Sequence, residues 1–192
     1  MYKETDRWIQ SVKSLTSKLQ PIASNRNRLA LALMYTSNTH CCSIQQLISK
    51  NLPSSAFALA RSQVEAYLRA IWVFNCANTE QINKILHGGN FPKKHRILEQ
   101  LMELDEFKDS MLKENVDKMW STLCDFTHGG GIQSSWHIGR NTIGDHYGHK
   151  QIKELLKLTC KISLLNSLAM AKVSDAEDVS NKLLLSYRRI HK

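Results

Sequence analysis

Apolar residues recur at helical spacing along most of the chain. The first such set is Trp8, Ile9, Val12, Leu15 and Leu19. This set predicts an amphipathic helix over about 4–20, which we expect to end before Pro21. The segment from Asn25 to about Lys50 predicts either one long helix or two abutting helices, since its polar stretch at 36–40 is a weak helix former. No alternation of apolar and polar residues persists, so we predict no strand.

The segment from Pro53 to about Ala77 carries the most informative pattern. Pro53 suits the first turn of a helix. Apolar residues then occupy nearly all sides of the predicted helix, which is typical of a helix buried on every face. We therefore predict that this helix is the central element of the fold, with Leu68 and Ile71 buried.

The later helices are separated by glycine-rich stretches. We predict them at about 80–87, 94–104, 109–127, 149–172 and 177–189. The glycine- and histidine-rich segment 129–148 is predicted to be a loop. Ser174 and Asp175 are expected to cap the last helix. The whole pattern predicts an all-α, single-domain bundle of about six to eight helices over residues 1–192.

Length and composition agree with this fold class. The chain has 192 residues, of which 42% are hydrophobic, and this is enough for one domain to bury a core. It contains no run of about 18 uncharged apolar residues, and its first residues are too polar for a signal peptide. We therefore expect a cytoplasmic protein without a membrane segment.

The cysteines and histidines do not form a recognisable ligand pattern. The five cysteines are Cys41, Cys42, Cys76, Cys124 and Cys160. Their odd number and their apolar helical neighbours predict reduced thiols in the core. Half of the eight histidines lie between His128 and His149, but their spacing matches no zinc signature. We expect neither a metal nor a cofactor.

The formal net charge of +9 favours an acidic partner such as RNA. The basic residues are scattered, with modest clusters at 26–28, 93–96 and 188–192. No cluster has the density of a nucleic-acid-binding arm. A solvated basic surface and an RNA-binding surface are both consistent with this distribution.

Three charged residues recur at every fourth position of the predicted central helix. Arg61, Glu65 and Arg69 form one stripe, in which Glu65 can pair with either arginine. Their neighbours are apolar, and an unpaired buried charge costs several kcal/mol. The stripe therefore predicts a buried network or a polar cleft. Two interpretations stay open, because the stripe either fixes the helix to its neighbours or faces a ligand.

A second polar group ends the helix predicted at 109–127. Asp125 and His128 are three residues apart and share a helix face, and the glycines at 129–131 allow close backbone approach. A carboxylate next to an imidazole can fix its tautomer for general acid–base catalysis. Alternatively, His128 only interacts with the helix dipole. We predict that Asp125 supplies the second acid needed by the two arginines, so that both groups form one polar site.

Two resemblances extend this interpretation. Arg140 and His146 fit the Arg-x(4–6)-His motif of HEPN (higher eukaryotes and prokaryotes nucleotide-binding) domains. These domains are all-helical, and many are metal-independent ribonucleases of toxin or phage-defence systems. The patterns at 61–72 and 125–130 also resemble those of a group of uncharacterised bacterial all-helical proteins, over about 53–170.

The HEPN resemblance implies a reaction on RNA. A histidine would assist attack of a ribose 2′-hydroxyl on the adjacent phosphate, while an arginine would stabilise the developing charge. The candidate residues are Arg61, Glu65, Arg69, Asp125, His128, Arg140 and His146. The first hypothesis is a metal-independent endoribonuclease with an antitoxin as protein partner. The second is a non-catalytic helical interaction or regulatory module, with a homo-oligomer expected.

Overall fold

The computed structural model describes residues 2–20 and 22–191, so Met1, Pro21 and Lys192 lie outside the described residues. Within these ranges the chain forms ten α-helices and no strand, with one isolated antiparallel bridge between Ile138 and Ile143. The helices are α1 (Tyr2–Thr16), α2 (Asn25–Ser49), α3 (Pro53–Asn75), α4 (Thr79–Leu86), α5 (Lys94–Met102), α6 (Asp105–Lys108), α7 (Leu112–His128), α8 (Gly131–Ser135), α9 (His149–Val173) and α10 (Glu177–Ile190). The all-α prediction is confirmed.

The number of helices exceeds the predicted six to eight because two short helices gave no periodic signal. They are α6, with four residues, and α8, with five. A helix of about one turn is too short to show an apolar repeat of 3.6 residues. Helix α8 lies inside the segment 129–148, which we predicted to be a loop. The presence of α8 changes the role of Asp125, a candidate site residue.

Two predicted helix ends are wrong. Helix α1 ends at Thr16, so Leu19 lies beyond it, and Pro21, which we expected to end it, lies outside the described residues. Helix α10 follows Ala176 and has no side-chain cap. Asp175 has a φ of 51° and belongs to the left-handed turn between α9 and α10, so it does not cap α10.

Helix α2 is one continuous helix of 25 residues, which decides between the two predicted forms. Its polar stretch forms tertiary hydrogen bonds. Ser37 Oγ donates to the Gln63 carbonyl at 3.1 Å, and Asn38 Oδ1 accepts from Ser163 Oγ at 3.1 Å. These bonds to α3 and α9 offset the low helix propensity of the stretch.

Helix α3 is the central element, as predicted. Leu68 and Ile71 are only 1% and 3% exposed. The helix contacts α2, α5, α7 and α9. Trp72 is fully buried, and its indole Nε1 donates to Gln100 Oε1 at 2.5 Å. The position of α3 fixes where its charged stripe meets the neighbouring helices.

A smaller apolar cluster joins α1, α9 and α10. It contains Trp8, Val12, Cys160 and Leu183, whereas other residues of α9 belong to the main core. All five cysteines are free thiols. Helix α9 thus contributes to both clusters. The division of the chain into domains is not tested by these contacts, so the single domain over 1–192 stays a prediction. No helix within the described residues is long and apolar enough to cross a bilayer.

Candidate functional site

The charged stripe of α3 forms a half-buried polar surface. Arg69 Nη2 lies 2.6 Å from Glu65 Oε1, and Arg61 Nε lies 4.0 Å from Glu65 Oε2. The spacing therefore predicted both partners of Glu65 correctly. The side chains of Arg61, Glu65 and Arg69 are 21%, 31% and 35% exposed. The stripe is therefore an open polar surface, so of the two predicted forms, a buried network or a polar cleft, the buried network is not the one formed.

Two aromatic rings pack against the arginines of the stripe. The guanidinium carbon of Arg61 lies 5.3 Å from the centroid of Trp120, and that of Arg69 lies 4.9 Å from the centroid of Phe91. Lys94 Nζ also lies 5.3 Å from the Trp120 ring. These are cation–π distances. Sequence reasoning missed these three partners, because they are distant from the stripe along the chain.

Lys94 is itself held by an acidic residue of α7. Its Nζ donates to Asp117 Oδ1 at 2.5 Å, and Lys113 Nζ donates to the other carboxylate oxygen at 3.3 Å. The hydrogen bond from Lys94 is the main reason that the pKa of Asp117 is lower than its ordinary value. Asp117 thus keeps its negative charge and holds the Lys94 ammonium next to Trp120.

His128, the last residue of α7, contacts the stripe directly. Arg61 Nη1 donates to His128 Nε2 at 2.5 Å, and the contact is exposed to solvent. The accepting nitrogen carries no proton, so the proton of the neutral ring lies on Nδ1. The next residue, Gly129, has a φ of 68°, a conformation that ends the helix and favours glycine. The predicted meeting of the stripe and the end of α7 is present at this pair.

Asp125 has a different role from the one predicted. Its carboxylate oxygens accept from the backbone N–H groups of Ile132 and Gln133, at 3.2 Å and 2.8 Å. These donors belong to the first turn of α8, whose N–H groups have no partner within the helix. Asp125 therefore caps α8 and does not balance the arginines. The error arose because α8 was not visible in the sequence pattern.

We expect the Asp125→Ala variant to lower the free energy of unfolding by about 1–2 kcal/mol, as for a lost helix cap. This is less than the roughly 3–5 kcal/mol of a broken buried ion pair. Gly130→Ala should have a similar effect, because a Cβ at Gly130 would collide with the Asp125 carboxylate. The double variant should cost little more than either single variant. Denaturant unfolding tests this, and fully additive losses would contradict it.

Arg140 and His146 make no direct polar contact with the stripe among the described residues. Both are exposed in the segment 136–148, between α8 and α9. His146 Nε2 lies 3.2 Å from Thr142 Oγ1. No hydrogen bond or ion pair among the described residues joins either side chain to Arg61, Glu65 or Arg69. The motif behind the HEPN resemblance therefore lies on an irregular loop and shares no hydrogen bond or ion pair with the stripe among the described residues.

The histidines and cysteines form no metal site within the described ranges. No group of three or more His, Cys, Asp or Glu side chains in residues 2–20 and 22–191 is placed to hold a metal ion.

Comparison with known proteins places the chain in a family. The family model DUF6988, a family of unknown function, matches residues 34–192. The chain belongs to this family. The part matched to DUF6988 includes the whole polar surface, from Arg61 to His128. Neither a curated protein nor a solved structure matches the chain. Since the DUF6988 description gives no activity and no link to HEPN domains, that resemblance stays a prediction.

Proposed function

We propose that this protein acts on single-stranded RNA through one polar surface of α3 and its neighbours, here called the α3 surface. Its members are Arg61, Glu65, Arg69, Phe91, Lys94, Trp120 and His128. The observation that carries the proposal is the position of Arg61, which packs on the Trp120 ring and donates to the exposed His128. Single-stranded RNA is bound by this combination of cations and planar groups.

The two arginines suit contact with successive parts of one strand. Arg61 and Arg69 are eight positions apart, which is about 12 Å along a helix that rises 1.5 Å per residue. They therefore reach different phosphate groups. Each guanidinium has donors that remain beyond its bonds to Glu65 and His128, and its plane can also stack on a base. The formal net charge of +9 adds a general attraction for the RNA backbone.

The proposal extends to cleavage of the RNA backbone without a metal. Arg61 would transfer its hydrogen bond from His128 to the scissile phosphate. This transfer frees His128 Nε2 to accept the proton of the ribose 2′-hydroxyl, which attacks the phosphorus to form a 2′,3′-cyclic phosphate while the P–O5′ bond breaks. The 5′-oxygen leaves with a proton from water. The Arg61 guanidinium would stabilise the negative charge that develops on the phosphate oxygens.

One observation favours an alternative function, in which the α3 surface binds a partner without catalysis. The Asp125 carboxylate caps α8 and so does not orient His128. General base catalysis is most effective when the imidazole is held in position by a third group. A non-catalytic binding or regulatory module is therefore the second candidate. The toxin or phage-defence role, the antitoxin partner and the homo-oligomer stay predictions.

A metal-free assay with single-stranded RNA tests both parts of the proposal. Fluorescent RNA is incubated with protein in excess EDTA, and fluorescence anisotropy and gel electrophoresis measure binding and cleavage. We expect wild type and the control His149→Ala to bind and cleave the RNA, whereas His128→Ala binds without cleaving. Binding without cleavage by wild type would support the alternative. Absence of binding by the folded wild-type protein would refute the proposal.

We expect Trp120→Leu to weaken RNA binding by about 1–3 kcal/mol, or roughly 5- to 150-fold, the usual value of an aromatic–base stack. Leucine keeps the apolar packing of this partly buried position but removes the planar ring. Tyr35→Leu is the matched control, since Tyr35 is an exposed aromatic residue on α2. Anisotropy titrations measure both variants, and equal affinities for the two would contradict a stacking role of Trp120.

A further inference from the structure

A second cluster of polar side chains lies at the start of α3. The hydroxyl oxygen of Ser54 is 3.3 Å from His137 Nε2, and His137 Nδ1 is 3.2 Å from Asp145 Oδ1. All three side chains are partly exposed. Serine, histidine and aspartate thus follow one another in the order used by serine nucleophiles, in which a carboxylate orients an imidazole and the imidazole activates a hydroxyl.

The hydrogen bonds around Ser54 and His137 indicate which atoms carry the protons, and this arrangement suits a serine nucleophile. The Gln133 side-chain amide donates to Ser54 Oγ at 2.9 Å, which leaves the Ser54 proton available for donation to His137 Nε2 or to the neighbouring Tyr147 hydroxyl. Asp145 can only accept, so the neutral His137 ring carries its proton on Nδ1. In this tautomer, the lone pair of Nε2 faces Ser54 Oγ and can remove its proton.

An aromatic cluster fixes the loop that carries His137 and Asp145. The rings of Phe57, Phe126, Trp136 and Tyr147 pack together, with centroid distances from 4.8 to 6.4 Å. Tyr147 also packs against His137 edge to face, at 5.7 Å. Across the turn, the Gly144 N–H donates to the His137 carbonyl at 2.9 Å. The loop that carries the imidazole and the carboxylate is therefore packed against α3 through Phe57.

The first turn of α3 offers donors for a developing negative charge. The N–H groups of Ser54 and Ser55 lie in the first helical turn and have no acceptor within the helix. Leu52, at the cap position, provides no side-chain acceptor. The positive end of the helix dipole lies at the same place. Backbone donors next to a nucleophile are the usual means of stabilising the oxyanion of acyl transfer.

We propose that Ser54, His137 and Asp145 form an acyl-transfer site that hydrolyses esters with an apolar acyl group. The preference for an apolar acyl group follows from the exposed apolar residues that flank the cluster along the chain. These are Leu52, Ile132, Ile138 and Ile143. This activity is separate from the proposed action on RNA and does not depend on it.

The reaction has two balanced halves. Ser54 Oγ attacks the acyl carbonyl while its proton passes to His137 Nε2, and the carbonyl oxygen becomes an oxyanion bound by the first turn of α3. The ester C–O bond then breaks, and the alcohol leaves with the proton from His137. Water, deprotonated by His137, attacks the acyl-Ser54 ester. The acid is released, and Ser54 regains its proton.

A fluorophosphonate probe tests the proposed nucleophile directly. An activated serine displaces fluoride and forms a covalent bond to phosphorus, which mass spectrometry locates. We expect labelling of wild type at Ser54 and no labelling of Ser54→Ala. His137→Gln should be labelled at least about 100-fold more slowly, since a general base contributes about 10²–10⁴-fold. The control Ser135→Ala, an exposed serine of α8, should be labelled like wild type.

A second measurement concerns turnover. Wild type should hydrolyse p-nitrophenyl butyrate, and Ser54→Ala and Asp145→Asn should lose this activity while binding RNA as wild type does. No labelling of folded wild type, labelling at another serine, or an unchanged rate in His137→Gln would overturn the proposal. Because RNA binding is measured on the same variants, failure of the acyl-transfer site is distinguishable from failure of the α3 surface.

Discussion

Replacing Arg61 and Arg69 together by glutamine is expected to lower the affinity for single-stranded RNA about a hundredfold. A hydrogen bond to a charged group contributes about 1.5–3 kcal/mol. Loss of two such bonds at the lower value gives about 3 kcal/mol, or about a hundredfold in the dissociation constant. Glutamine keeps part of the side-chain length, so the packing on Phe91 and Trp120 is disturbed less than by alanine.

A matched control separates the α3 surface from the general charge of the protein. Arg188→Gln with Arg189→Gln removes the same net charge from two exposed positions of α10. Anisotropy titrations at several salt concentrations give the slope of log K against log salt. In the Arg61→Gln and Arg69→Gln double variant, this slope should be smaller in magnitude than in wild type by about 1.4, because each of the two lost phosphate contacts contributes about 0.7. Equal losses of affinity in the two double variants would contradict a specific role of the stripe.

Replacing Trp72 by alanine is expected to lower the free energy of unfolding by about 3–5 kcal/mol, as for other large buried aromatic residues. Trp72 is fully buried at the centre of α3, so its removal leaves a cavity that the surrounding helices fill only in part. Gln100, which accepts the indole N–H, is exposed and can bind water instead. The loss therefore comes mainly from packing.

Urea unfolding followed by circular dichroism measures the effect of Trp72→Ala. Leu185→Ala is the control, because Leu185 is a large apolar side chain on the surface of α10. Its substitution should change the free energy of unfolding by no more than about 0.5 kcal/mol. A loss below about 1 kcal/mol for Trp72→Ala would mean that α3 is not the central packing element.

The fold was predictable where apolar residues repeat over several turns. The burial of Leu68 and Ile71 follows from the all-round apolar pattern of α3, since such a helix has to be covered on every side. The short helices α6 and α8 were not predictable in this way. The end of α1 was also wrong, because an apolar residue such as Leu19 continues the pattern even where the backbone leaves the helix.

The site was predictable only within single helices. The spacing of Arg61, Glu65 and Arg69 gave their pairing, because residues four apart on a helix are neighbours. We predicted that the stripe contacts the end of α7 because two arginines need a second acid, and we assigned that role wrongly to Asp125. Asp125 caps α8 instead, and no pattern in the sequence indicated that helix.

The arrangement of Ser54, His137 and Asp145 shows why the remaining chemistry was hidden. Ser54 and His137 are 83 positions apart, and they meet only because the aromatic cluster docks the loop on α3. In the sequence, the histidines of this region were grouped only by their closeness along the chain, and their spacing matched no ligand signature. Contacts between side chains so far apart depend on packing, which one sequence without related sequences does not reveal.

Photo-crosslinking to RNA is the most direct test of the central claim that the α3 surface acts on RNA. Wild type is irradiated with a short single-stranded RNA containing 4-thiouridine, and mass spectrometry identifies the crosslinked residues. We expect crosslinks at Phe91, Trp120 or His128, which disappear in the Arg61→Gln and Arg69→Gln double variant. Crosslinks confined to other surfaces, such as α10, or no crosslinks with folded wild-type protein, would contradict it.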